Sequence, residues 1–287
     1  MTTTHTTHPP TPTPHQQRTD NNNTHRTAPT VARDTLALVG HLGRFALTTI
    51  RDLPQVRRYG TEVLHQAGIL ILTSGLIIWF MQFVIGTMCA TEASYTLKQV
   101  GADIYSGVFT DYCGLREMSP YMWAYIWAAK VGCGLVAELG SMRIADEVDA
   151  LEVMGIHSRT YLVGTRVLAC WLAMPFLFLI GLGVTYTGMY LVVVKELANV
   201  SSGGYLYIFW LFQNPYDLIA ATFRVMTYGT IVTFVGCYYG YTATGGPVGV
   251  GKATAKSMMW NMVLIHLAGI LTVQFFYGLN PNAPIAN

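Results

Sequence analysis

The sequence predicts an all-α integral membrane protein. It should have one amphipathic helix lying in the membrane interface, five transmembrane helices, and a short amphipathic helix between the second and third spans. Three observations lead there. Apolar and aromatic residues make up 52% of the 287 residues. Charged residues number 32 (17 Lys plus Arg, 15 Asp plus Glu), or 11%, against about 25% in a soluble domain. Those charges cluster, leaving windows of membrane-spanning length between them. The composition excludes a soluble globular enzyme and a disordered chain. Its long apolar runs argue against an outer-membrane barrel, whose alternating strands would dilute them. A net charge of +2 gives no reason to expect nucleic acid as a partner.

Residues 1–30 contain 11 Thr, 5 Pro, 4 His and 3 Asn but only Met1 and Ala28 as apolar residues. They lack a basic stretch followed by an apolar one, so they read as a disordered, solvated cytosolic tail rather than a signal peptide or a metal site. Residues 31–58 form the interfacial helix and a basic linker. Leu38, Leu42 and Phe45 share one helical face, while Arg33, His41, Arg44 and Thr48 lie on another. Pro54 and Arg57-Arg58 then lead into the membrane domain, 59–287.

A helix needs roughly 20 mostly apolar residues to cross about 30 Å of hydrocarbon. Glu62 and Glu92 bracket 29 uncharged residues, which places the first span at about 68–90. Lys130 is the one charge between the Arg116-Glu117 pair and Glu138, giving a second span at 118–139. Arg166 and Lys195 bracket 28 uncharged residues, the third, at 167–191. The fourth, 217–241, is interrupted by Arg224, and the fifth, 257–278, follows the last basic residue, Lys256. The window 197–216 is also uncharged. It holds Asn199, Ser201, Ser202, Gly203, Gly204, Gln213, Asn214 and Pro215, so it reads as an aromatic interfacial segment. Lys and Arg counts orient the chain. Seven basic residues precede the first span, Arg143, Arg159 and Arg166 lie between spans two and three, and Lys252 and Lys256 lie between spans four and five. Those twelve stand against Lys98, Arg116 and Lys195 on the other side. The N-terminus is therefore expected in the cytosol and the C-terminus on the periplasmic side of the inner membrane.

Few residues suggest chemistry. The five Cys are scattered without metal-ligand spacing, and Cys113 has no obvious partner. His41, His65, His157 and His266 are isolated, and no nucleophile–base pair appears. GGPVGVGKAT (245–254) approaches a phosphate-binding loop, but Ala253 stands where Ser or Thr would ligate Mg²⁺. Its glycines read instead as a tight turn. Lys130 and Arg224 are charges inside spans, which are functional candidates by default and otherwise snorkel or pair. No carboxylate lies well inside a predicted span, which counts against an ion- or proton-coupled carrier. Gly236 and Gly240, with Gly132 and Gly134, suit close helix packing.

The densest charge cluster is ELGSMRIADEVDALEVMGIHSRTYLVGTR (138–166). Ile144, Val148 and Leu151 follow helical spacing, while Arg143, Asp146, Glu147 and Glu152 supply polar faces. Arg143 and Glu147 form an i, i+4 pair, and Gly155 is placed to stop the helix. Such a helix, facing the cytosol, suits docking onto a soluble partner.

The strings REMSP (116–120), VGCGLVAELGSMRIADEVDALEVMGI (131–156), RVLACWLAMP (166–175) and GGPVGVGKAT (245–254) resemble the MlaE/YrbE permease family, the membrane subunits of Mce-type ABC lipid transporters. Lys130 stands where that pattern usually has Arg, and Thr165 where it usually has Pro. The resemblance implies a non-catalytic subunit of an ATP-driven lipid or fatty-acid importer that pairs with a second YrbE-type permease, by analogy with actinobacterial systems a different one. It implies that the helix at about 142–154 is a coupling helix docked on a separate cytosolic ABC ATPase dimer, which holds ATP and Mg²⁺, so this chain binds no cofactor. It implies a hexamer of Mce-domain substrate-binding proteins on the outer side. It also implies a lipid cavity at the dimer interface, for which Leu76, Trp79, Phe80, Phe83 and Val84 offer an apolar wall and Arg116 and Glu117 a charged pair. The alternatives from other classes are an ion- or proton-coupled solute carrier and a membrane-bound lipid enzyme.

Overall fold

The computed structural model describes residues 28–198 and 200–278, and all its regular elements are helical. The predicted tail, 1–27, lies outside the described residues. The chain divides at Phe45 into two units. In the first, the described residues are helical; this helix, α1 (Ala28–Asp52), runs on into the second unit. A 3₁₀ turn, Leu53–Tyr59, follows, with Pro54 in its first turn, where a missing N–H costs nothing.

In the second unit, α2 spans Gly60–Gln99. The next helical run is broken into α3 (Ser106–Asp111), a π segment (Tyr112–Met118), α4 (Ser119–Trp127), a second π segment (Ala128–Gly132) and α5 (Cys133–Ile144). Then come α6 (Glu147–Val153), α7 (Thr165–Tyr190) with π segments at both ends, α8 (Ser202–Phe212), α9 (Pro215–Tyr241) and α10 (Gly246–Tyr277). Among the described residues, four helical stretches are long and apolar enough to cross a membrane: Val39–Gln99, Arg159–Glu196, Pro215–Tyr241 and Gly246–Tyr277. They contain the predicted first, third, fourth and fifth spans. The predicted second span, 118–139, falls on the run that two π segments interrupt. Each π turn inserts a residue into the helical ladder, a break that hydropathy cannot register.

Small residues set the packing. The helices α2 and α7 lie side by side, and a Cβ on Gly86 would meet the backbone of Thr185 at 2.2 Å. The helix α9 crosses α5 at Gly236 and Gly240, whose added Cβ atoms would lie 2.9 Å from the Gly132 carbonyl and 3.0 Å from the Leu135 carbonyl. Gly132 thus serves as expected, whereas nothing lies near Gly134. Buried Trp123, Trp127, Phe178 and Met174 fill the middle of the bundle. The aromatic segment becomes α8, too short to span, with Ser201 capping it by accepting from Gly204 N. It packs through Tyr205 and Phe209 onto Gly107 of α3 and leaves Tyr207, Trp210 and Leu211 exposed. Cys113 is not partnerless: it forms a disulfide with Cys89 of α2. Their separation of 24 residues across a helix hairpin hides the proximity in sequence.

The glycine string 245–254 does not build a phosphate cradle. Gly245 (φ 88°) and Gly246 (φ 67°) make the left-handed turn between α9 and α10. Lys252 is already an exposed position in the body of α10.

Candidate functional site

The connection between α5 and α7 is built differently from the single helix expected over 142–154. Ala145 ends α5, and Asp146 takes a left-handed conformation (φ 55°), a position that Asp tolerates better than most residues. That break removes the Arg143–Glu147 pair, because i, i+4 proximity requires continuous helix. Arg143 instead binds Asp149 at 2.5 Å, folding α6 back onto the end of α5, and that hydrogen bond raises the Arg143 pKa above the usual guanidinium value. The far end stops as predicted at Gly155 (φ 78°). Gly155 N donates to the Glu152 carbonyl and Ile156 N to the Leu151 carbonyl, the two bonds of a Schellman ending.

The side chains of this segment sort by exposure. Val148 is buried and anchors α6; Leu151 is half-buried. Ile144, Asp146 and Glu147 are exposed. Glu152 accepts a hydrogen bond from Ser158 Oγ at 2.7 Å, and Ser158 in turn meets Tyr241 Oη at 2.8 Å, tying the segment to the end of α9. Helical spacing missed the most exposed apolar pair, Val153 at 89% and Met154 at 66%. Two apolar side chains are thus held out from a capped turn.

At the opposite end of the second unit the predicted charged pair is drawn inward. Arg116 Nη2 and Nε donate to Asp217 Oδ2 at 2.8 and 3.1 Å, and its guanidinium lies over the rings of Tyr112 and Tyr277. Tyr277 Oη donates to Asp217 Oδ1 at 3.2 Å. Glu117 accepts from Arg224 Nη2 at 3.2 Å; Arg224 also donates to Tyr228 Oη and to the Arg116 carbonyl. Arg224 is fully buried, so it pairs rather than snorkels. Beside this cluster, Gln213 Nε2 donates to Asp111 Oδ1 at 2.6 Å and to Tyr186 Oη at 2.9 Å.

Two carboxylates here correct the sequence reading: Asp111 and Asp217 are both fully buried. Each stands at a helix end or a predicted loop edge, and tertiary packing rather than its own span buries it. The charge-free windows draw attention to what lies between the charges, whereas Asp217 stands at the boundary of the fourth window and Asp111 in the connection between the first two spans. The argument from a missing buried carboxylate therefore falls, although Asp217 is engaged by Arg116.

The predicted apolar wall divides into two faces. Leu76 and Phe80 are exposed, and Leu72 continues their stripe one turn earlier. Trp79 turns toward α7, its Nε1 donating to the Leu177 carbonyl at 3.2 Å. Phe83 and Val84 are half-buried, and Phe83 lies against Gly188 of α7. Among the described residues, no group of three or more His, Cys, Asp and Glu is placed to hold a metal ion.

Comparison with known proteins accords with this arrangement. The family described as Permease MlaE matches residues 63–275, from the start of α2 to the end of α10. A probable ABC transporter permease protein of Rickettsia bellii is 27% identical over 253 residues, covering 87% of this chain and 97% of the relative. One from Synechocystis is 31% identical over 196 residues, 66% of this chain and 74% of the relative. The intermembrane phospholipid transport system permease protein MlaE of Haemophilus influenzae is 25% identical over 249 residues, 85% of this chain and 94% of that protein. The match takes in every membrane-spanning helix of the second unit together with the α5–α6 turn, and the chain belongs to the MlaE permease family.

Proposed function

We propose that this chain is the membrane-spanning, non-catalytic subunit of an ATP-driven Mce-type lipid importer, with five spans and α1 lying in the interface. The observation that carries the reading is the α5–α6 turn. It is braced by Arg143–Asp149, anchored by Val148 and capped at Gly155, so that Val153 and Met154 project from a fixed base. A rigid projection of this kind transmits movement between a membrane helix and a soluble engine, and it fits a groove on a separate ABC ATPase dimer holding ATP and Mg²⁺. The phospholipid relative in Haemophilus supports lipid as cargo. The exposed stripe Leu72, Leu76 and Phe80 suits the wall of a cavity shared with a second, different permease subunit, with Arg116 and Glu117 near its polar rim. The end carrying α8 then faces outward and receives Mce-domain proteins as a hexamer. The Cys89–Cys113 disulfide lies at that end, and disulfides persist in oxidising compartments. This orientation places the N-terminus in the cytosol and the C-terminus on the periplasmic side.

The test is ATPase capture. Val153→Asp with Met154→Asp should lower recovery of the ATPase with the tagged permease by about tenfold or more, as loss of a contact centre does, and leave the permease's own melting temperature unchanged. Unaltered recovery would show that the ATPase docks elsewhere.

A further inference from the structure

A second polar island lies in the half of the bundle nearer α6. A cavity of about 310 Å³ opens between α2, the second π segment with α5, and the first turn of α7. That volume is at the small end for ligand sites, enough for a headgroup but not for a whole lipid. Its lining alternates in chemistry: Gln66, Thr73 and Ser74 are polar, while Leu70 and Leu135 are apolar.

The charges lining it do not cancel. Arg166 Nη2 binds Glu138 Oε1 at 2.6 Å and Arg166 Nη1 donates to the Leu162 carbonyl at 2.8 Å, so these two ions are matched. Arg166 Nε remains buried without an acceptor. Lys130 is the third ion of the cavity, and it takes part in none of these contacts. Glu138 lies eight residues along, on the order of 12 Å of helix, and is already engaged. Lys130 also sits well inside the predicted second span, on the exposed surface of the bundle, where an ammonium facing hydrocarbon without a counter-ion is costly. A lone cation at this depth, facing a cavity with a second unused donor, calls for an anion. Ile69, which also lines the cavity, shares a helical face with the exposed Leu72 and Leu76 of α2 at i+3 and i+7, along which an acyl chain can lie.

The geometry points to a binding site for the anionic headgroup of a lipid, with the Lys130 ammonium as its counter-ion, Arg166 Nε and the second Nε2 hydrogen of Gln66 (the first goes to Glu62 Oε1) as further donors, and the chain laid on Leu72 and Leu76. This site is separate from the Arg116–Asp217 cluster at the opposite end. It rests on the reading of the chain as a lipid permease and adds a charge preference to it.

The test is ligand-induced stabilisation of the purified full-length chain in detergent. The probes are dioctanoyl phosphatidylglycerol, dioctanoyl phosphatidylcholine and inorganic phosphate. The anionic lipid should stabilise the wild type at lower concentration than the zwitterionic one, and phosphate should have no effect. Lys130→Ala should raise the half-stabilising concentration of the anionic lipid about tenfold, the loss expected of one charge-assisted contact, and Lys130→Arg should restore it. If Lys130→Ala does not fold, Lys130→Gln keeps the stem and carries the same expectation. Equal stabilisation by the two lipids, equal stabilisation by phosphate, or an unchanged half-point in the Lys130 variants would overturn the assignment. No ATPase is present in this assay, so failure of docking at α6 leaves its outcome intact, and the converse also holds.

Discussion

The two ends of the membrane unit carry the same kinds of ion in opposite settings. At the α6 end, Arg143 pairs with Asp149, whose side chain is 58% exposed. At the α8 end, Arg116 pairs with Asp217, whose side chain is fully buried. An exposed pair gains little because water screens it and both side chains lose freedom. A buried pair binds its partners together because breaking it strands a charge. The difference separates two jobs. The ions of the α8 end stitch the second helical run to α9 and α10 from inside. Those of the α6 end shape a turn whose remaining surface is left for a partner.

Three substitutions test that contrast, in falling order of effect. Asp217→Ala strands the Arg116 guanidinium inside the bundle and should cost about 3–5 kcal/mol, read as a large drop in melting temperature or loss of monodisperse protein. Glu117→Ala removes one partner of Arg224, which keeps Tyr228 Oη and the Arg116 carbonyl. The loss should be intermediate, about 1.5–3 kcal/mol, the range for a hydrogen bond to a charged group, and visible in the same melting assay. Asp149→Ala should cost less than about 1 kcal/mol, with a small loss of ATPase recovery as α6 loosens. If Asp149→Ala destabilised the protein as much as Asp217→Ala, the two ends would not be divided in this way.

Much of this architecture is legible in the sequence because hydrocarbon tolerates so little charge. The windows between Glu62 and Glu92 and between Arg166 and Lys195 fall on α2 and α7, and Gly155 stops α6 where its spacing said it would. Gly236 and Gly240 announced a close crossing that α9 makes with α5. The misses have a common cause. The run Ile144, Val148, Leu151 has helical period on both sides of Asp146, so a one-residue left-handed break leaves the pattern intact while moving Arg143 from Glu147 to Asp149. The π segments likewise keep hydropathy and change only the helical phase of the residues C-terminal to them. The site residues Arg116 and Glu117 were visible as charges at a span edge, but their partners were not.

By itself, then, the sequence determined where the chain meets membrane and where it turns, since those follow from the cost of each residue in hydrocarbon and from local backbone preference. Only the tertiary structure decided which charges face inward. Asp217 lies 101 residues from Arg116, Glu117 107 from Arg224, and Cys113 24 from Cys89. Such pairings depend on how helices rotate against one another as small residues such as Gly86 and Gly240 let backbones touch, and that rotation is a property of the packed bundle rather than of any one segment.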